Sequence, residues 1–118
     1  MSNKQSWDKW ELIAIEYLQR KNFIVVETNY KFGRFWEIDI IAKKDWYTYF
    51  FEVKYRASEA YGSGEESITK NKLFKIRKSA ESYCMQNKID YDTMKIEAII
   101  VEKHSDKHRI KHYRNIEF

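Results

Sequence analysis

Hydrophobic positions along the chain fall into two kinds of period, and their alternation predicts the order of elements. Trp10, Ile13, Ala14, Tyr17 and Leu18 recur at helical spacing, which predicts a helix from about Ser6 to Lys21 with Ser6 as its N-cap. Phe23 to Tyr30 is β-branched and aromatic and reads as a strand, and Gly33 then permits a turn. Two further strands follow, Phe35 to Ala42 and Tyr47 to Tyr55, parted only by Lys43-Lys44-Asp45, so they form an antiparallel hairpin. A loop holding Gly62 and Gly64 leads to a second helix, about Thr69 to Asn87, whose apolar stripe is Leu73, Ile76, Ala80 and Tyr83. Strands near Lys95 to Glu102 and His108 to Tyr113 close the chain around a turn at Ser105-Asp106-Lys107. The order αβββαββ, without internal repeat, argues for α/β or α+β and against a pure βαβ array; an α/β fold with a mixed central sheet flanked by helices is expected.

Length and composition narrow this picture. The 118 residues suit a single domain spanning 1–118. Hydrophobic residues make up 43% and aromatics 17%, which excludes a disordered chain, and the absence of proline with only three glycines leaves no linker. The N-terminal stretch lacks the apolar core of a signal peptide, and no run is long enough to span a bilayer. The lone Cys84 rules out an internal disulfide and suits a reducing compartment, so a cytoplasmic protein without a membrane partner is expected. A formal charge of +4 is a weak pointer to nucleic acid; where the charges lie says more.

Strand alternation places Glu37 and Asp39 on one face, and Glu52 and Lys54 on one face of the next strand. An even-numbered hairpin loop brings those faces to the same side, and a loop of about four residues is expected to set Asp39 opposite Glu52. Their neighbours Ile38, Ile40, Ile41, Phe50, Phe51 and Val53 suggest covered strands, where ionised groups need partners. A hard divalent cation would relieve both the burial and the mutual repulsion. Glu11 lies one turn before Ile15 and two before Leu18, at the edge of the buried stripe, where a carboxylate can reach the sheet edge. Carboxylates with Mg²⁺ or Mn²⁺ and a lysine suit phosphodiester hydrolysis. On pattern alone the commoner reading is blander: a solvated charged hairpin face with a cross-strand Glu–Lys pair.

The segments Glu37-Ile38-Asp39-Ile40-Ile41-Ala42 and Phe51-Glu52-Val53-Lys54-Tyr55-Arg56 resemble the signature of the YraN-type family of bacterial proteins. That family is similar to Holliday junction resolvases of the restriction-endonuclease-like, PD-(D/E)xK superfamily. Glu11, Ala14, Tyr17 and Leu18 agree with its first helix, Asn29-Tyr30 and Gly33 with the approach to the motif. Glu65-Glu66, Lys72, Ala80 and Tyr83 agree with its loop and second helix, and His112, Asn115 and Phe118 with its ending. The resemblance implies a restriction-endonuclease-like fold in which Asp39 and Glu52 are metal ligands, Lys54 is the catalytic lysine and Glu11 completes the site; Glu37 is a motif residue. It implies Mg²⁺ or Mn²⁺ as cofactor and DNA, branched or damaged, as substrate. A homodimer is the assembly expected of a resolvase-like protein. Trp7 and Trp36 stand where small or polar residues are usual, and Glu97 where aspartate is. Trp36 is expected on the strand face opposite the motif. With the resemblance, the nuclease-type site outweighs the solvated hairpin.

The densest basic segment carries Lys70, Lys72, Lys75, Arg77 and Lys78 with no acid among residues 69–79, and Arg56 follows the motif. Arg56, Lys70, Lys72, Lys75 and Lys78 are therefore the expected phosphate contacts, against the ordinary alternative of a solvated helix face. Trp10, Tyr17, Phe51 and Tyr83 read as core, and Trp46, in the hairpin turn, as exposed. His104, His108 and His112 recur every four residues, but in a hairpin, where that spacing does not gather them. Cys84 reads as a buried structural thiol. A non-catalytic nucleic-acid-binding module of the same fold is the competing function.

Overall fold

A computed structural model of the chain describes residues 8–34, 36–57 and 69–116. Helix α1 (Lys9–Arg20) is followed by strands β1 (Ile24–Tyr30), β2 (Ile38–Lys44) and β3 (Tyr47–Arg56). Helix α2 (Lys70–Gln86), a short 3-10 turn, and strands β4 (Met94–His104) and β5 (Lys107–Tyr113) complete the order. The protein is thus α/β, in the predicted order αβββαββ. Ser6, Trp7, Phe35, residues 58–68 with Gly62, Gly64 and Glu65-Glu66, and Phe118 lie outside the described residues.

The five strands lie in sequence order across one sheet, so β1 and β5 are its edges. All neighbours are antiparallel except β3 and β4, which run parallel. A parallel pair cannot be joined by a tight turn, and the crossover between β3 and β4 contains α2. The two helices cover opposite faces. Ala14, Ile15 and Leu18 of α1 pack on Ile40, Ala42, Phe51, Ile99 and Val101. Leu73, Ile76, Ala80 and Tyr83 of α2 pack on Ile41, Phe50 and Ile96. The doublets Ile40-Ile41 and Phe50-Phe51 therefore divide between two cores, which is why these strands read as unbroken apolar runs.

Asp8 caps α1, its carboxylate accepting from the Glu11 N–H at 2.8 Å, so the cap lies two residues beyond the expected Ser6. Thr69 caps α2 in the same way, accepting from Lys72 N–H at 3.1 Å. Strand β2 runs two residues closer to the turn than expected, ending at Lys44 rather than Ala42, while β3 begins at Tyr47 as expected. Lys44 pairs with Tyr47, leaving a two-residue turn of Asp45 (φ 51°) and Trp46 (φ 74°). Two consecutive positive φ angles are what a type I′ hairpin requires. The Trp46 side chain, 96% exposed, is thrown into solvent as predicted. Cys84 is buried, and its burial pushes the thiol up to about 11.

The histidine spacing has no joint role. His108 meets the edge of the Trp10 ring, with centroids 5.5 Å apart. His112 is enclosed between α1 and the sheet, where its Nδ1 lies 2.8 Å from the Tyr17 hydroxyl and its Nε2 2.6 Å from Glu97 Oε1. The Asn115 N–H donates to the other Glu97 oxygen at 3.1 Å. This chain of polar groups ties α1 to β4 and β5, and explains how Glu97 is tolerated at 3% exposure. On the other face, Glu102 is fully buried beside Lys111 Nζ at 3.2 Å and Arg109 Nε at 3.6 Å.

Two stability outcomes follow from these contacts. His112→Ala leaves Glu97 buried without its side-chain partner and should cost about 3 kcal/mol in denaturant unfolding. Trp46→Gly removes a side chain from a left-handed position and touches no core, so it should stabilise by about 1 kcal/mol, read as a higher melting temperature.

Candidate metal and phosphate site

The ladder between β2 and β3 ends at Ile40 opposite Phe51. One position beyond, where Asp39 faces Glu52, the strands part, and the Val53 N–H donates to Asp39 Oδ2 at 2.8 Å instead of to backbone. A loop of four residues, pairing Ala42 with Tyr47, would have set Asp39 against Phe50. The observed two-residue turn is what brings the carboxyls together, so the expected opposition is right and the expected loop length is not.

Glu52 is 3% exposed. Its Oε2 lies 3.3 Å from Lys54 Nζ, and its Oε1 accepts from Trp36 Nε1 at 3.3 Å. Asp39 has one backbone N–H for company. Burial and the adjacent Glu52 charge push Asp39 up to about 8, against the Val53 hydrogen bond, with the Glu11 charge adding to the rise. Asp39 therefore gives up its proton less readily than an ordinary aspartate. For Lys54, burial works against the ammonium, but the side-chain contact with Lys72 and the Glu52 charge outweigh it and hold it above its ordinary range. Lys72 is pushed down in turn by the same contact.

Glu11 reaches the same cavity from α1. Its carboxylate accepts from Asn29 Nδ2 at 3.2 Å, and Asn29 takes a positive φ of 53° in β1. Burial raises Glu11, the Asn29 bond opposes this, and the Asp8 and Glu37 charges add to it. The cavity is about 560 Å³ and is lined by Asp8, Glu11, Glu37, Asp39 and Glu52, against the cations Lys31, Arg34 and Lys54. Trp10 and Tyr55, stacked at 3.7 Å between centroids, form one wall. Among the described residues no three His, Cys, Asp or Glu side chains approach closely enough to hold one ion together. The predicted trio of Asp39, Glu52 and Glu11 is therefore a close pair with a third carboxylate across the cavity, because Asn29 holds Glu11 to β1.

The predicted basic residues separate. Lys72 meets Lys54, which lines the cavity. Lys75 lies over the Trp36 ring, 5.9 Å from its centroid, and Lys78 over Phe74 at 5.3 Å. Lys70 is exposed in the first turn of α2. Arg56 is partly buried and pairs in register with Glu102, away from the cavity lining. Trp36 is not on the far side of the strand. It precedes β2, escapes strand alternation, and is held by Ser79 Oγ, which donates to its carbonyl at 2.6 Å. Lys31 and Arg34 were missed by the sequence reading; their only signal was their place on either side of Gly33, in the connection leading to the motif.

Uncharacterised protein family UPF0102 matches residues 10–101, which span both helices and all of β1, β2 and β3. The chain belongs to the UPF0102 family. It is 27% identical to a UPF0102 protein of Carboxydothermus hydrogenoformans over 98% of both chains. It is 33% identical to one of Alkaliphilus oremlandii over 96% of this chain and 97% of that one. It is also 33% identical to UPF0102 protein YraN of Shigella boydii over 80% of this chain and 71% of that one. The YraN-type resemblance read from the motif is thus a family membership, and the matched UPF0102 span contains Glu11, Asp39, Glu52, Lys54 and the basic face of α2.

The raised Asp39 makes stability depend on pH. Asp39 binds its proton more tightly in the folded chain than its ordinary value of 3.8. Its contribution to folding is complete below that value and is lost as pH rises toward about 8. In EDTA, Asp39→Asn, which keeps an oxygen for the Val53 N–H, should melt at a higher temperature than the natural chain at pH 8, with the gap closing toward pH 4. A gap of constant size across that range would assign the effect to something other than Asp39 titration.

Proposed function

We propose that this UPF0102 chain is a divalent-cation-dependent nuclease of the restriction-endonuclease-like kind that hydrolyses phosphodiester bonds in DNA. One observation carries the reading: in a cavity rich in carboxylates, Asp39 and Glu52 face each other where β2 and β3 part, with Lys54 Nζ 3.3 Å from Glu52. A phosphate would be repelled from such a cavity unless a cation preceded it, and hard oxygen donors select Mg²⁺ or Mn²⁺. The donor set fits such an ion: Asp39 and Glu52 would hold it, with Glu11 on the same cavity in support. When bound, the cation supplies screening of phosphate charge and activation of water.

The chain's own groups do the rest. The Asp39 proton must leave before the carboxylate can act as a ligand, so cation binding is tied to proton release. The Lys54 ammonium, held at Glu52, is placed to bear the charge that develops on phosphate oxygens. Lys72 beside it holds the adjoining backbone. The likeness to Holliday junction resolvases supports branched or damaged DNA as the preferred substrate, with two copies acting on two strands.

Two measurements test this. Labelled linear, single-stranded and four-way-junction DNA should be cut in Mg²⁺ or Mn²⁺ and left intact in EDTA. Asp39→Asn and Lys54→Ala should each slow cutting by at least about a hundredfold. In parallel, Mn²⁺ should raise the melting temperature of the natural chain more at pH 8 than at pH 6, and leave Asp39→Asn unmoved. Cation-dependent stabilisation without cutting of any substrate would leave a binding module that retains the ion; neither effect would remove the metal site altogether.

A further inference from the structure

Beside the carboxylate cavity lies a second groove of about 350 Å³, lined by Arg34, Trp36, Asn71, Phe74, Lys75 and Lys78. Its character is the reverse of its neighbour's. It has three cations and no carboxylate, where the first cavity has five carboxylates and three cations. Phe74 is 53% exposed, a large apolar ring on the solvent side of α2, away from the Leu73–Ile76–Ala80 stripe. Lys78 lies over the Phe74 ring and Lys75 over that of Trp36. Aromatic faces with cations poised over them match the chemistry of a nucleotide, whose base stacks and whose phosphate is anionic.

The two grooves are joined. Arg34 and Trp36 line both. Trp36 also donates to Glu52 at 3.3 Å, so the wall of the basic groove is hydrogen-bonded to a proposed metal ligand. A paired base presents its edge to the outside of a duplex and its faces to its neighbours, so an exposed ring such as Phe74 can stack only on a base that has left the stack.

We propose that the Phe74–Trp36 groove binds an unpaired nucleotide next to the phosphate held at Asp39 and Glu52, and so selects DNA carrying a single-stranded segment beside the cleavage point. This deepens the nuclease reading and rests on it for the neighbouring phosphate. Arg34, Lys75 and Lys78 take the backbone of the unpaired strand, and the Phe74 ring takes its base. Because Phe74 projects from α2 toward solvent, its loss leaves the core packing of that helix in place.

The test is fluorescence anisotropy in EDTA, so that binding is read without cutting, on the full chain. The probes are a labelled single strand of roughly twelve nucleotides and its blunt duplex. Phe74→Ala should weaken binding of the single strand about tenfold and change duplex binding by less than about twofold. Phe74→Tyr, which keeps the ring, should restore single-strand affinity. Lys75→Ala should weaken both probes, since it removes charge rather than a stacking face. Equal losses on both probes for Phe74→Ala, no loss on either, or failure of the natural chain to bind the single strand would overturn the proposal. If the natural chain cuts duplex DNA yet Phe74→Ala binds the single strand as well as it does, the groove is wrong and the nuclease reading stands. If the ring-dependent preference appears but no DNA is ever cut, the groove stands and the nuclease reading fails.

Discussion

Two carboxyl groups held against each other where β2 and β3 part set the terms for the surrounding structure. Like charges in a poorly solvated position are unfavourable, and the chain manages them with three devices: a backbone N–H from Val53 on Asp39, and the Lys54 ammonium and the Trp36 N–H on Glu52. Each device has a structural requirement. The Val53 N–H is free only because the ladder stops at Ile40, and Trp36 reaches Glu52 only because it lies outside the strand and is pinned by Ser79 of α2. The register that opposes Asp39 and Glu52 depends in turn on a two-residue turn that places Trp46 in a conformation few side chains favour. The local strain of that hairpin and the crowding of the carboxyls are linked through one register.

Around this pair the electrostatics are divided rather than blended. Carboxylates collect in the cavity between α1 and the sheet, while α2 carries its lysines along the far side of Trp36. Lys54 and Lys72 meet at the boundary. A polyanion crossing that boundary would find unequal surroundings on its two sides, one needing a cation and the other supplying charge itself. The family relationship spans the elements that build both sides.

Much of this was legible in the sequence because the relevant signals are local. Strand alternation in Ile38–Lys44 and Tyr47–Arg56 set Asp39, Glu52 and Lys54 on one side, and the helical stripes of α1 and α2 predicted which residues are buried. What escaped has physical reasons. Turn length cannot be read from Lys43-Lys44-Asp45, because Asp45 and Trp46 adopt positive φ without the glycine that usually signals it. Trp36 precedes its strand, so alternation misplaced it. Glu11 is held by Asn29, a contact between α1 and β1 that no local periodicity encodes. Likewise, the Tyr17–His112–Glu97 chain joins three elements from the two ends of the sequence, so spacing in any one of them is silent about it.

The edge strand β5 has a consequence for how two molecules could meet. Among the described residues its outer backbone groups lack a neighbouring strand, and along its seven residues it carries Lys107, Arg109 and Lys111 with His108 among them. Glu102 answers Arg109 and Lys111 from within its own sheet, and its full burial keeps it from a visitor. A second copy aligning the same strand alongside would bring lysine and arginine against lysine and arginine, with no added acid to separate them. Growth of the sheet from one molecule into the next is opposed at that border.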